Sequence, residues 1–175
     1  AQRSAVVNPG QRWLKRAFME MGGKDGLIVD ETADLDVAAD AIVKSAFGYQ
    51  GQKCSACSRA IVVESVHDEV LGRVVDLAGS LEIGPGAENH AVGPVISAAQ
   101  YRSILEEINR GQGQAELVLG GGAVDINGGY YIEPTVFAEV QPDSRLAQHE
   151  IFGPVLSFIS VTDFDTALAV ATGTE

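Results

Sequence analysis

Four side chains in this sequence are of types that do chemistry at a carbonyl carbon or beside it. Cys54 follows the loop Gly51-Gln52-Lys53, and Cys57 lies three residues on. Glu20 sits between Met19 and Met21, directly before Gly22-Gly23, and Glu150 stands near Phe152 at a Gly153-Pro154 corner. A thiolate is a soft nucleophile that attacks a carbonyl and can leave again. If Cys54 opens a short helical turn through Ala56 to Ser58, its sulfur meets free backbone N–H groups. Those dipoles and the charge of Lys53 favour the thiolate, and the same N–H groups would stabilise an oxyanion. Composition alone equally allows both cysteines to be small buried hydrophobes. A carboxylate at an apolar strand end, the setting expected for Glu20, holds its proton more tightly, which suits a general base near neutrality. The plain alternative is a surface glutamate at the end of an edge strand. Glu150 can accept two hydrogen bonds from a sugar diol and Phe152 can wall a planar ring, a weak signal when taken alone.

Three other uses of Cys54-x-x-Cys57 fit less well. A thioredoxin-like dithiol lies between a strand and a helix, whereas here a helix precedes and a strand follows. A zinc site would need two more ligands, and His67, His90 and His149 are scattered, so no metal site is assigned. A disulfide across the pair would be strained. His67 falls in the first turn of a helix, an exposed position. Gly120-Gly121-Gly122 has neither the Lys-Ser or Lys-Thr nor the helix that a phosphate loop needs.

With 175 residues, 46% of them apolar and 21% charged, the chain fits one ordinary domain and is neither disordered nor fibrous. Asp and Glu number 24 against 12 Lys and Arg, a net charge of -12 that argues against nucleic acid as a partner but not against a small anionic ligand. The longest apolar run is far short of a membrane span, and Ala1 to Pro9 has no apolar core of a leader. Two cysteines do not make a disulfide scaffold. A protein of a reducing compartment, the cytoplasm, is expected, with a small molecule as its partner.

The elements follow from spacing. Gly26 to Val29 reads as a short strand. Asp34 caps a helix with Leu35, Ala38, Ala41, Ile42, Ser45, Ala46 and Tyr49 on one face, ending where Gly48 and Gly51 flank its last turn. The acidic set Asp30, Glu31, Asp34, Asp36 and Asp40 complements that helix's dipole. Arg59 to Val63 is a strand rich in β-branched residues. Ser65 and Asp68 form a capping box for a helix burying Val66, Val70, Leu71, Val74, Leu77, Ala78 and Leu81, and Ser97 with Gln100 forms another, for Tyr101, Ile104, Leu105 and Ile108. Leu117 to Leu119, Thr135 to Val140 and Val155 to Val161 are strands, and Asp163 caps a last helix, Phe164 to Ala171. Strands alternating with helices predict an α/β fold, a largely parallel open sheet with flanking helices. Most of the 20 glycines then mark tight turns. The unpartnered first strand and last helix are expected of a piece of something larger.

The segments Met19-Glu20-Met21-Gly22-Gly23-Lys24, Gly51-Gln52-Lys53-Cys54 and Glu150-Ile151-Phe152-Gly153-Pro154-Val155 resemble, in that order, the glutamate box, cysteine box and cofactor-contact motif of the aldehyde dehydrogenase superfamily. The 34 residues from Glu20 to Cys54 are the family's spacing. Gly23-Lys24-Asp25, Phe47 to Ala56 and Val92-Gly93-Pro94-Val95-Ile96-Ser97 are most similar to its 1-pyrroline-5-carboxylate dehydrogenase branch. The resemblance implies a partial aldehyde dehydrogenase-like catalytic domain. It also implies NAD-dependent oxidation of L-glutamate γ-semialdehyde to L-glutamate through a cysteine thioester, the second step of proline catabolism. In that reading Cys54 is the nucleophile, Glu20 activates the hydrolytic water, Glu150 holds the nicotinamide ribose of NAD beside Phe152, Ser55 helps bind the substrate carboxylate, and Cys57 is structural. His149 stands where the family has a second acid. Residues 1 to 22 would end the dinucleotide-binding domain, and 23 to 175 would be a catalytic domain incomplete at its C-terminal end, within a homo-oligomeric parent. The alternatives are an inactive fragment or interaction domain, or a Cys-x-x-Cys thiol–disulfide oxidoreductase.

Overall fold

A strand buried on both faces must have a layer on each side, and the stretch Arg-Ala-Ile-Val-Val leaves no face for water. In the computed structural model, which describes residues 18–174, this is strand β2 (Arg59–Val63), buried at every position. Its side chains alternate between two cores: Ala60 and Val62 point to one, Ile61 and Val63 to the other. Around it run β1 (Gly26–Val29), β3 (Glu116–Leu119), β4 (Ala123–Val124), β5 (Tyr131–Ile132), β6 (Thr135–Ala138) and β7 (Val155–Val161). The main sheet has the order β1-β2-β7-β6-β3, parallel from β1 to β6, with β3 antiparallel at the edge. Strands β4 and β5 pair separately.

Helices α1 (Leu35–Phe47) and α2 (Glu64–Gly79) cover the first face, burying Ile42, Phe47, Val70 and Val74 against Val62 and Phe158. Helices α3 (Ala98–Gly111), α4 (Arg145–Gln148) and α5 (Phe164–Thr172) cover the second, with Ile104, Ile108, Leu146 and Ala167 over Ile61, Phe137 and Ile159. Three caps form as expected. Asp34 accepts from the amides of Asp36 and Val37, Ser97 from that of Gln100, and Asp163 from that of Thr166. Among the described residues no helix is long and apolar enough to cross a membrane.

Several local expectations are corrected. Helix α2 starts directly at the end of β2 with Val63 as its N-cap and no capping side chain, so the Ser65–Asp68 box does not form. That start places His67 at the head of the buried stripe His67, Val70, Val74, Ala78, where it is buried and meets Phe158 edge-on at 5.6 Å. Tyr49 leaves the α1 stripe altogether: the helix ends at Phe47, and Tyr49 is exposed in a left-handed conformation. Leu77, expected inside, is partly exposed. The reading made on Ala1 to Pro9 lies outside the described residues.

Candidate active site

Parallel pairing of β1, β2 and β7 brings their amino ends to one edge of the sheet, and each end is preceded by one of the three motifs. Gly22 to Asp25 lead into β1, Cys54 to Ser58 into β2, and Glu150 to Pro154 into β7. The segments are tied together by backbone. Asp25 O accepts from the amides of Ser58 and Arg59 at 3.0 and 3.2 Å, and Ser157 N donates to Ser58 O at 3.0 Å.

Close approach at glycine completes the join. A Cβ on Gly22 would lie 1.9 Å from Glu150 Oε2, and one on Gly23 would lie 2.7 Å from the Cys54 carbonyl oxygen. So the first motif touches both of the others only because it carries no side chains there. Gly51, with φ of +65°, has no room for a Cβ either, since Gly153 O would be 2.2 Å away. Glu150 itself is half-buried, and its Oε1 accepts the Gly23 amide at 3.2 Å. A carboxylate fixed on one oxygen by a backbone amide keeps acceptor capacity on the other, as a diol partner requires.

Helix α4 and its neighbours aim this segment. Ser144 caps α4, and Arg145 from α4 makes a two-bond fork on Glu107 of α3, both at 2.8 Å. That hydrogen bonding holds the Glu107 carboxyl below its usual range. Gln100, expected to close a capping box, instead sends its side-chain amide to the carbonyls of Ile151 and Phe152 at 3.0 and 3.2 Å. Phe152 has φ of 56° and an exposed side chain. A left-handed phenylalanine is a strained conformation that only its surroundings can maintain.

The loop before Cys54 is strained in the same way. Tyr49 and Gln50, at φ of 58° and 57°, precede Gly51 in the left-handed region, so three successive residues share it. Gln52 Oε1 accepts the Ile96 amide at 2.9 Å, fastening this loop to Val92–Ser97. Cys54 then sits in a tight turn closed by Ala56 N to Lys53 O at 3.1 Å. The expected helical turn through Ala56 to Ser58 is replaced by an extended run into β2, because the chain must enter a buried strand at once.

Cys54 and Ser55 are exposed, and so is Glu20. Glu20 is in no strand, and Phe18, Met19 and Met21 around it are exposed too, so the apolar strand end expected for it is not built by the described residues. Cys57 is the opposite case. It is buried, its amide donates to Ser45 Oγ at 3.1 Å, and its thiol donates to Arg59 O at 3.5 Å. Desolvation pushes that thiol up to about 11, a protonated and unreactive sulfur.

Two charged residues at the site had no role read from the sequence. Arg59 is fully buried and donates to Lys24 O at 2.8 Å and to Val170 O and Ala171 O at 2.9 Å each, clamping α5 to the segment before β1. Lys24 is buried beside Glu150. The available signal was positional: a lone arginine heads an otherwise apolar strand, and a lysine follows a glycine pair.

The sheet order and the gathering of three such motifs at its amino edge define a class. The model of the aldehyde dehydrogenase family matches residues 3–175, and the chain belongs to that family. It is 53% identical over 175 residues to a 1-pyrroline-5-carboxylate dehydrogenase of Geobacillus sp. (strain WCH70), covering 99% of this chain and 34% of that protein. A crystal structure of 1-pyrroline-5-carboxylate dehydrogenase from Thermus with bound NAD superposes with a TM-score of 0.93 at 53% identity, covering 99% of this chain and 33% of that one. Proline utilization A from Bdellovibrio bacteriovorus superposes equally well, with a TM-score of 0.93 at 44% identity, over 99% of this chain and 18% of that one. The chain thus spans about a third of the length of the curated relatives it matches.

Proposed function

We propose that this chain carries the nucleophile and part of the cofactor site of an NAD-dependent dehydrogenase that oxidises L-glutamate γ-semialdehyde to L-glutamate, the second step of proline catabolism. The observation that carries the reading is the interlock at the sheet edge, where Gly22-Gly23 receives the Glu150 carboxylate on one side and the Cys54 carbonyl on the other. The likeness to 1-pyrroline-5-carboxylate dehydrogenases supports the substrate.

In this mechanism the Cys54 thiolate adds to the aldehyde carbon, and backbone N–H groups at its turn receive the developing oxyanion. NAD, when bound, supplies the hydride acceptor. Collapse of the adduct leaves a thioester on Cys54 Sγ. Glu20 takes a proton from the water that hydrolyses it, releasing the carboxylate product and the thiolate. The residues present fit a dinucleotide's sugar: Glu150 is held on one oxygen by Gly23 N–H, and the exposed Phe152 ring offers a flat wall beside it. Ser55, exposed next to the nucleophile, is assigned to the substrate's α-carboxylate.

Residues 1 to 22 are proposed to end the dinucleotide-binding domain and 23 to 175 to form part of the catalytic domain of a cytoplasmic homo-oligomer. The exposure of Glu20, Cys54 and Ser55 favours a second statement: the chain by itself is inactive, and turnover needs the segments its relatives carry on either side.

The test is made on the chain joined to those segments. With NAD and L-glutamate γ-semialdehyde it forms NADH; Cys54→Ala abolishes this, and Glu20→Gln accumulates an acyl adduct that peptide mass spectrometry finds on Cys54. Retention of activity in Cys54→Ala would overturn the assignment.

A further inference from the structure

Lys24 is 8% exposed, and its ammonium has no hydrogen-bond or ion-pair partner within reach among the described residues. A lysine buried to this degree is rare, because its charge loses much of its water. Its backbone is fixed at both sides. Arg59 Nε holds the Lys24 carbonyl, and the preceding amide, Gly23 N, is on Glu150. Lys24 lines a cleft of about 240 Å³ together with Glu150, Gly22, Gly23, Gln148 and Thr174. It also lines the neighbouring pocket that contains Phe152 and Lys53.

We propose that Lys24 is a positioning residue for Glu150, its ammonium, beyond ion-pair distance, setting the positive field of the shared cleft in which the carboxylate meets a ligand diol. Gly22, Gly23 and Lys24 then form one cradle: a missing side chain makes room for the carboxylate, an amide binds one oxygen, and a cation on the cleft wall sets the field it lies in. This rests on the reading of Glu150 as the residue that holds the nicotinamide ribose.

The groups facing Lys24 come from every element around it: Arg59 from β2, Cys57 from the loop before it, Glu107 from α3, and Glu150 from the segment before β7. Burial and then Arg59 lower the amine to about 8, while Glu150, Cys57 and Glu107 pull it upward. Above that pH the amine is neutral, and Glu150 loses its counter-charge. Diol binding is therefore strong below the lysine's pKa and weakens as pH rises through it.

The experiment measures equilibrium binding of NADH, by its fluorescence, to the full-length enzyme containing this chain, from about pH 7 to about pH 9. The wild type is expected to lose about fivefold in affinity across that range, and Lys24→Met to bind about tenfold more weakly than the wild type near pH 7, with a flat profile. Lys24→Arg, charged at every pH used, restores the neutral-pH affinity and holds it to the top of the range. Identical pH profiles for wild type and Lys24→Arg overturn the proposal, whether or not Lys24→Met folds. So does a Lys24→Met protein that binds as the wild type does. Glu150→Gln separates the two ideas: if it weakens binding while the Lys24 variants do not, only the positioning role falls. If Glu150→Gln binds NADH unchanged, the cofactor reading of Glu150 falls and this proposal with it.

Discussion

The two halves of the candidate site are built differently. Around Glu150 the chain supplies everything: an amide on the carboxylate, a glycine that makes room for it, Gln100 on the following carbonyls, and the Glu107–Arg145 fork behind α4. Around Cys54 it supplies a position and little else. Cys54, Ser55 and Glu20 all face outward, in a turn and an irregular segment. A carboxylate that must orient a ligand gains from rigid second contacts. The nucleophile and base proposed here must instead be reached by substrate and by water. The contrast runs down to the cysteine pair, three residues apart, of which one is exposed and the other buried under a lifted pKa.

That contrast predicts where substitutions will be felt. The largest effect is expected at Arg59, which no reading of the sequence placed at the site. Arg59→Ala leaves the carbonyls of Lys24, Val170 and Ala171 without their donor in a buried setting and opens a large cavity. Urea denaturation should show a loss of about 4 kcal/mol. A loss under about 1 kcal/mol would mean that the segment before β1 is held by something else.

The next effect separates the cysteines directly. Desolvation takes the Cys57 thiol from 9.0 to about 11, so at neutral pH its thiolate fraction is about a hundredfold lower than an ordinary thiol's, before burial is counted. In the native chain iodoacetamide should therefore modify Cys54 and spare Cys57, and in urea the two should react alike. Rapid modification of both in the native state would instead support an exchanging dithiol, the activity class that the buried Cys57 argues against.

How much of this was legible in the sequence depends on whether the determining contact is local. Strands β1, β2 and β7 were readable to the residue, because continuous apolar runs bounded by polar or glycine residues admit few other structures. The caps at Asp34, Ser97 and Asp163 were readable for the same reason. Helix α2 was not, because it springs from a buried strand and is started by packing rather than by a capping side chain. That one misplaced start is also what moved His67 from the surface to the core. The short pair β4 and β5 and the four-residue α4 carry too little periodicity to be seen, and β3, expected as a strand over Leu117 to Leu119, gave no sign of its antiparallel pairing. At the candidate site, Glu20, Cys54, Glu150, Phe152 and Ser55 could be nominated by type and family spacing. The left-handed Phe152, the burial of Lys24 and the reach of Gln100 could not be read, since each is decided by partners more than 30 residues away in sequence or by strain that composition does not record. Lys24 shows the limit most clearly, because a lysine after two glycines reads as a solvated turn until its neighbours are known.

The smallest expected effect tests the open half of the comparison. Glu20→Gln and Ser55→Ala remove groups that are exposed and whose side chains make no hydrogen bond to the described residues, so each should change stability by no more than about 0.5 kcal/mol. Thermal unfolding of the same 175-residue chain would measure it. A clear loss in either variant would show that the outward face of the nucleophile loop is packed within this chain, and the division into a built half and an open half would go. Near-identical melting with wild type would leave these two residues free of any part in holding the fold. Their side chains would then be free for the roles proposed for them, general base and carboxylate ligand.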